Sequence, residues 1–158
     1  MKKFYLLFLI LFIFFNKNTF AEMKVSISKD EFKGTTSKYL MSDPVSPNTP
    51  LSFPFDKSQA TLILLCPSQP YVYFNKVLLK EYPENFEVEF KANEKFLKAY
   101  MYQDDNFIKF FNGGSEAVIN LMKENDEVWI QFNHYKDGER FYKFNTKGTL
   151  DLFNKHCN

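Results

Sequence analysis

The two cysteines are the residues with the most definite chemistry in this chain. Cys66 ends the apolar run ATLILLC, and Cys157 is the next-to-last residue. An even number of cysteines in a chain that leaves the cytosol favours a disulfide, which we predict here. Two free thiols and a metal pair are the alternatives, and a metal would need further ligands, for which His134 and His156 are the candidates.

The histidines do not complete a catalytic arrangement. His134 falls in register with apolar residues at the end of a strand, where we expect a core-edge histidine bonded to backbone. His156 belongs to a final helical turn, where positive charge is favourable. The Gly113-Gly114-Ser115 run lacks the flanking pattern of a nucleophile elbow and the lysine of a phosphate loop. We therefore predict that the protein is not an enzyme, and assign no catalytic, cofactor-binding or metal-binding residue.

Two acidic groups have simpler explanations than chemistry. Asp104-Asp105-Asn106 reads as a solvated turn, because an EF-hand needs spaced oxygens and a distal glutamate. Glu87 and Glu89 share one side of a strand and could mimic a glycosidase pair. Paired glutamates on a solvent face are commoner, so we place them there.

Trp129 is the residue whose neighbours favour contact with a partner. Alternation directs Val128 and Ile130 inward, which puts Trp129 on the opposite face with Gln131 and Asn133. An aromatic ring among polar neighbours can anchor a partner, and a position beneath a helix is the alternative. We predict a partner contact at Trp129, Gln131 and Asn133.

The elements that position these residues follow from hydrophobic periodicity. Apolar alternation and turn residues predict six to eight strands and two short helices. The fold class is mainly β: a single antiparallel β-sandwich-like (α+β) domain with a disulfide-closed C-terminus. The predicted strands are 23–28, 60–66, 71–79, 86–91, 96–102, 107–111, 127–135 and 139–144, with 36–41 as a further short candidate inside a loop-like stretch at 29–54.

The two helices have recognisable faces. Ser115 is predicted to cap a helix at 116–124, which buries a stripe made by Val118, Leu121 and Met122. A closing helix at 146–157 is expected to turn Leu150, Phe153 and Cys157 toward the sheet. Such a helix would bring Cys157 close to the strand that ends at Cys66.

The first residues have the layout of a secretory signal peptide. Lys2 and Lys3 precede an apolar run at 4–15, and Thr19-Phe20-Ala21 offers a cleavage site. The run would span about 18 Å as a helix, against about 30 Å for a bilayer core, although a retained anchor is the alternative. We predict a signal peptide at 1–21 and a single secreted domain at 22–158, periplasmic or secreted and not membrane-spanning after cleavage.

The charge balance of the chain bears on whether its partner is a nucleic acid or a protein. The chain has 20 basic and 19 acidic residues, and cleavage would remove Lys2, Lys3 and Lys17, leaving 17 basic against the same 19 acidic. A nucleic-acid binder needs a basic face. We predict a protein or cell-envelope component as partner, and no nucleic acid.

Several motifs resemble those of a known group of exported proteins. Asp43-Pro44, Leu62-x-Leu64-x-Cys66, Phe144-x-x-x-Gly148 and Cys157 are similar to the pattern of the type VI secretion-associated VasI/TagO family, and more distantly of invasion-associated locus B proteins. A tryptophan common before the aspartate-proline pair is absent, and Tyr39 lies nearby instead. The resemblance implies a periplasmic β-sandwich-like accessory protein without established catalysis, and it transfers no catalytic residue.

Together these observations predict an exported periplasmic accessory or binding module. It would act through protein or cell-envelope contacts, with a secretion system as one setting. The alternative is a periplasmic immunity or inhibitor protein that neutralises a toxin or a lysozyme-like enzyme, since small disulfide-closed domains suit that role and mild negative charge would suit a basic target.

Overall fold

The structure is mainly β, as predicted. A computed structural model describes residues 22–76, 85–111 and 113–157, so the predicted leader at 1–21 lies outside the described residues. Within them the chain forms nine strands and two helices. These are β1 (Lys24–Asp30), β2 (Thr35–Met41), β3 (Ala60–Leu65), β4 (Gln69–Phe74), β5 (Phe86–Ala92), β6 (Lys95–Asp104), β7 (Phe107–Phe110), α1 (Ser115–Glu124), β8 (Glu127–His134), β9 (Gly138–Asn145) and α2 (Thr149–His156).

One antiparallel sheet contains all nine of these strands, in the order β1-β2-β3-β4-β7-β6-β5-β8-β9. Most neighbours are consecutive hairpins, whereas β4 pairs with β7 and β5 pairs with β8 out of chain order. The predicted strand count of six to eight was low. Residues 35–41 form a full strand because they pair along their whole length with β1.

The inner face of the sheet, defined as the face that carries both helices, holds the hydrophobic core. On β5, Val88 and Phe90 point inward, and on β8 Ile130 and Phe132 do so. The helix α1 covers them with the predicted stripe of Val118, Leu121 and Met122, all buried together with Ile119. Burying one such large side chain contributes about 1.5–3 kcal/mol, so this helix-on-sheet layer is the main source of stability.

The segment 42–59, here called the strap, contains no helix or strand, as the prediction of a loop-like stretch at 29–54 expected. Residues 29–30 and 35–41 of that stretch instead belong to β1 and β2. The strap is nevertheless bonded to the sheet. It bridges to the start of β3 through Val45 and Ala60. Further on, the Asn48 backbone N–H donates to Phe141 O at 2.9 Å, and the Phe141 N–H donates to Asn48 Oδ1 at 2.9 Å. The strap thereby covers part of edge strand β9, which would otherwise present unpaired backbone groups.

The ends of both helices differ from the predictions. Ser115 is the first residue of α1 rather than its cap, since Gly114 occupies the cap position at φ 82° with no side-chain hydrogen bond. Leu150 does not face the sheet and is 46% exposed. Cys157 is buried as predicted and is held covalently. Thr149 is buried in place of Leu150, and its hydroxyl donates to the backbone carbonyl of Thr146.

Two strand boundaries also differ from the predictions. The predicted strand 71–79 ends at Phe74, where Asn75 bonds sideways to Gln59 through both backbone and side chain; residues 77–79 lie outside the described part. Strand β6 continues to Asp104, and the turn begins with Asp105 at φ 52°.

The predicted disulfide joins Cys66 to Cys157, with their Cα atoms 4.8 Å apart. Cys66 directly follows β3, whose first five residues are buried on both faces of the sheet. Cys157 ends α2, so the bond attaches the C-terminal helix to a central strand. It closes a loop with a sequence separation of 91 residues.

We expect the double variant Cys66→Ala/Cys157→Ala to lose about 4–5 kcal/mol of unfolding free energy, because the unfolded chain gains conformational entropy when the cross-link is removed. Urea denaturation measures the loss. Reductant added to the parent protein must reproduce the change, and the same reductant must leave the variant unaffected. An unfolding midpoint equal to that of the oxidised parent would contradict this role.

Candidate functional site

The outer face of the sheet, opposite the helices, carries a row of alternating rings and ammonium groups. Strand register places Lys91 opposite Phe96 on one side and opposite Trp129 on the other. Trp129 in turn lies opposite Lys143. The row therefore crosses four neighbouring strands, β6, β5, β8 and β9.

Contacts within this row hold its side chains in place. Lys91 Nζ lies 5.2 Å from the ring centroid of Phe96, and Lys143 Nζ lies 5.4 Å from that of Trp129. Trp129 Nε1 donates to Glu127 Oε1 at 2.5 Å, and Lys143 pairs with Glu127 Oε2 at 2.7 Å. Burial alone would raise the pKa of Glu127, but these two bonds hold the pKa below its ordinary value. The indole is thus fixed by its neighbours while its ring stays open to solvent.

A second row lies beside the first and completes a shallow depression. Glu89 lies opposite Gln131, and Gln131 lies opposite Phe141. Phe96, Trp129 and Phe141 are 69%, 37% and 37% exposed. The depression has a volume of about 190 Å³ and is lined by Glu89, Lys91, Phe96, Trp129, Gln131 and Phe141; we call these six residues the aromatic surface.

The charges around the aromatic surface are paired. Lys98 Nζ lies 2.7 Å from Glu87 and 2.9 Å from Glu89, and these bonds raise the pKa of Lys98. The two glutamates are therefore partners of one lysine on a solvent face, as predicted, and do not form an acid–base pair across a cleft. Three lysines and three glutamates, counting Lys91 and the Glu127–Lys143 pair, make this region formally neutral.

The structure positions the three predicted contact residues on one face. Trp129 and Gln131 line the depression, whereas Asn133 is exposed farther along β8 and does not line it. Trp129 does not lie beneath a helix, because both helices described here pack on the inner face. Sequence reasoning missed Phe96, since only the pairing of β5 with β8 brings its strand near Trp129. It also missed Phe141, although the β8–β9 hairpin places that ring opposite Gln131.

A larger pocket opens on the same outer face beside the end of β7. Its volume is about 550 Å³, and its lining includes Tyr39 from β2, Tyr71 from β4, Tyr102 from β6 and Lys109 from β7. Gly113 and Ser115 close it at the start of α1. Nothing in the sequence singled out this pocket, because it is assembled from five strands, and the β4–β7 pairing that joins its two halves links segments distant along the chain.

A buried polar network surrounds His134. Its Nε2 lies 3.0 Å from the Tyr142 hydroxyl, so the expected bond to backbone is wrong: a side chain takes that place. Ser58, which also bonds Tyr142, is 1% exposed, His134 is 3% exposed and Tyr142 is fully buried. Because solvent does not reach these groups, the network is part of the core.

Burial sets the protonation of this network. Desolvation lowers the pKa of His134 to about 4. The nearby Asp137 carboxylate opposes this shift, and the positive charge of Arg140 adds to it. Burial raises the pKa of Tyr142 for the same reason, so both rings are neutral at neutral pH. Asp137 Oδ1 also accepts hydrogen bonds from the backbone N–H and hydroxyl of Ser52, which ties the strap to this corner.

No family model, curated protein or solved structure matches this chain. The resemblance to the VasI/TagO family therefore stays a prediction. Across the described ranges, no group of three or more histidine, cysteine, aspartate or glutamate side chains is placed to hold a metal ion. In the same part of the chain, no helix has the length and apolar character that crossing a bilayer requires.

The neutral state of His134 predicts a pH-dependent stability. Between pH 6.5 and about 4, His134 is mostly protonated in the unfolded chain and mostly neutral in the folded protein. The free energy of unfolding therefore falls as pH falls. The full shift amounts to about 3 kcal/mol. Urea titrations at pH 7, 5.5 and 4 should show this loss in the parent and a loss about 3 kcal/mol smaller in His134→Gln, whose amide does not titrate.

His156→Gln is the matched control, because it replaces the chain's other histidine at a half-buried position outside the network. Between pH 7 and pH 4, His156→Gln should still lose about 3 kcal/mol more than His134→Gln does. Parallel curves for the parent and His134→Gln would show that the buried imidazole does not control acid stability.

Proposed function

We propose that this protein is an exported binding module that contacts a protein or another cell-envelope component through the aromatic surface. Three exposed rings around one depression on a rigid sheet carry the proposal. Tryptophan and other large aromatic side chains supply much of the energy of protein contacts at a small cost in conformational entropy. The module acts by binding and has no catalytic step.

The inner face does not compete for this role. Its side chains are used by the core and covered by α1 and α2, so recognition falls to the outer face. There the rings of Phe96 and Trp129 lie two strands apart, about 10 Å, which is a spacing that a flat partner can span. Hydrogen-bonding groups of Glu89 and Gln131 lie in the neighbouring row of the same depression.

Paired charges indicate what kind of partner fits. Because each glutamate near the aromatic surface bonds a lysine, the surface presents no field of one sign. Binding through it should depend mainly on ring contacts and hydrogen bonds, and should change little between low and physiological salt. A nucleic acid would require the opposite behaviour.

Export is supported by two independent observations. The leader pattern at 1–21 is that of a signal peptide, and the Cys66–Cys157 bond persists in oxidising compartments. The resemblance to the VasI/TagO family favours a secretion-system component as the partner. An envelope protein or glycan facing the periplasm would meet the same surface.

Photo-crosslinking in cells tests the proposal. A photoreactive amino acid at position 131 should capture a discrete partner, and Trp129→Ala in the same chain should remove the product. A probe at Ser28, exposed on β1, is the positional control, and Phe32→Ala is the matched variant because Phe32 is 98% exposed on a hairpin tip. Phe32→Ala should leave the product unchanged.

The identity of the product distinguishes the two functions considered for the sequence. An envelope or secretion-apparatus component would support the accessory module. A toxin or lysozyme-like enzyme would assign the aromatic surface to inhibition. Identical products from positions 131 and 28, or products indifferent to Trp129→Ala, would refute a partner contact at this surface.

A further inference from the structure

The pocket beside the end of β7 has the size and lining of a small-molecule site, and it is separate from the aromatic surface. A volume of about 550 Å³ lies in the usual range for ligand pockets. Its walls combine aromatic side chains with a few polar groups. The rings of Tyr71 and Phe107 meet edge to face at 5.6 Å, and Tyr73 contacts Phe107 from behind at 5.2 Å. These contacts fix one wall of the pocket in place.

The polar groups of the lining include one cation and no anion. Tyr39, Tyr71 and Tyr102 contribute three hydroxyls, and Lys109 contributes an ammonium group, whereas no carboxylate lines the pocket. Burial raises the pKa of Tyr71, and the neighbouring Tyr39 adds to that effect, so this hydroxyl keeps its proton as a donor. Such a lining suits an anionic ligand.

The start of α1 adds to the same electrostatic preference. Gly113 and Ser115 line the pocket, and no side chain caps the helix. Its first backbone N–H groups therefore keep their partial positive charge near the pocket, as helix N-termini do. This contribution is secondary to that of Lys109, whose ammonium belongs to the lining itself.

Two acidic residues near Lys109, Asp104 and Asp105, oppose an anion. Asp104 bonds the ammonium of Lys109 from the adjacent strand, but it is exposed and does not line the pocket. A bound anion would share the ammonium with this carboxylate. The pairing therefore weakens anion binding without blocking the space that a ligand would occupy.

We propose that this pocket binds a small organic anion: a planar ring that packs against Tyr71 and Phe107 and bears a carboxylate that Lys109 and the tyrosine hydroxyls hold. A ring fits because the walls are aromatic, and a single acidic group fits because one ammonium faces it. Phosphate monoesters carry more negative charge, about −1.5 to −2 at neutral pH, on a bulkier head.

Ligand titrations followed by NMR of the oxidised protein test the proposal with benzoate as the probe. Benzoate should shift resonances around the pocket, and benzamide, its neutral isostere, should bind at least about tenfold more weakly. Phenyl phosphate reports the preferred head group: weaker binding than benzoate supports the carboxylate, and tighter binding overturns that assignment. Equal affinity for benzoate and benzamide overturns the anion site.

Two substitutions with opposite expected effects on benzoate affinity make the test specific. Lys109→Met should weaken benzoate binding by about tenfold, since a hydrogen bond to a charged group is lost. Asp104→Asn should strengthen it, because the ammonium is then free for the ligand, and a gain cannot arise from partial unfolding. A loss or no change in Asp104→Asn would contradict the proposal.

The control variants separate this pocket from the aromatic surface. Lys91→Met alters an ammonium of the aromatic surface and should leave benzoate affinity unchanged. Trp129→Ala should also leave it unchanged. A fall in benzoate affinity in either variant would place the anion elsewhere, so failure of this site and failure of the proposed partner contact are distinguishable.

Discussion

The covalent bond between Cys66 and Cys157 is the constraint on which this structure depends. It fixes the end of α2 to β3, a strand buried on both faces, and α1 packs against α2 and the sheet. Both helices are therefore held over the inner face. A chain end without such an attachment usually frays. With it, the C-terminal helix becomes part of the core.

The covered inner face determines where exposed rings can lie. Core side chains occupy that face, so the exposed rings lie on the other one, where the aromatic surface and the tyrosine-lined pocket share strand β6. Its outward side chains run from Phe96 through Lys98 and Tyr100 to Tyr102. Two sites of different chemistry thus occur on one sheet: a neutral ring-lined depression and a donor-rich pocket with one ammonium.

Local pattern was enough to predict what depends on neighbouring residues. The alternation at Val88 and Phe90 predicted β5, and the inward register of Val128 and Ile130 correctly turned Trp129 outward. Because the chain has only two cysteines, a disulfide between them could be predicted without knowledge of the fold. The prediction for Leu150 was wrong. The hydrophobic spacing of α2 placed Leu150 toward the sheet, but the bond to Cys157 and the burial of Thr149 set the rotation of this helix and leave Leu150 exposed. Long-range pairing could not be predicted: Phe96 and Tyr39 join their sites only through the order of strands, whereas Phe141 lies on the hairpin partner of β8 and was overlooked.

The direct test of this account is the state of the two sulfurs in protein made by its own cell. Purification without reductant, alkylation under denaturing conditions and intact-mass measurement should give a chain lighter by two hydrogens than the reduced form, with neither cysteine alkylated. Digestion should then yield one peptide pair joined through Cys66 and Cys157. Recovery of both cysteines in alkylated form would contradict the Cys66–Cys157 bond. It would also contradict the arrangement built on that bond, in which both helices are fixed over the inner face and partners are proposed to bind the outer face.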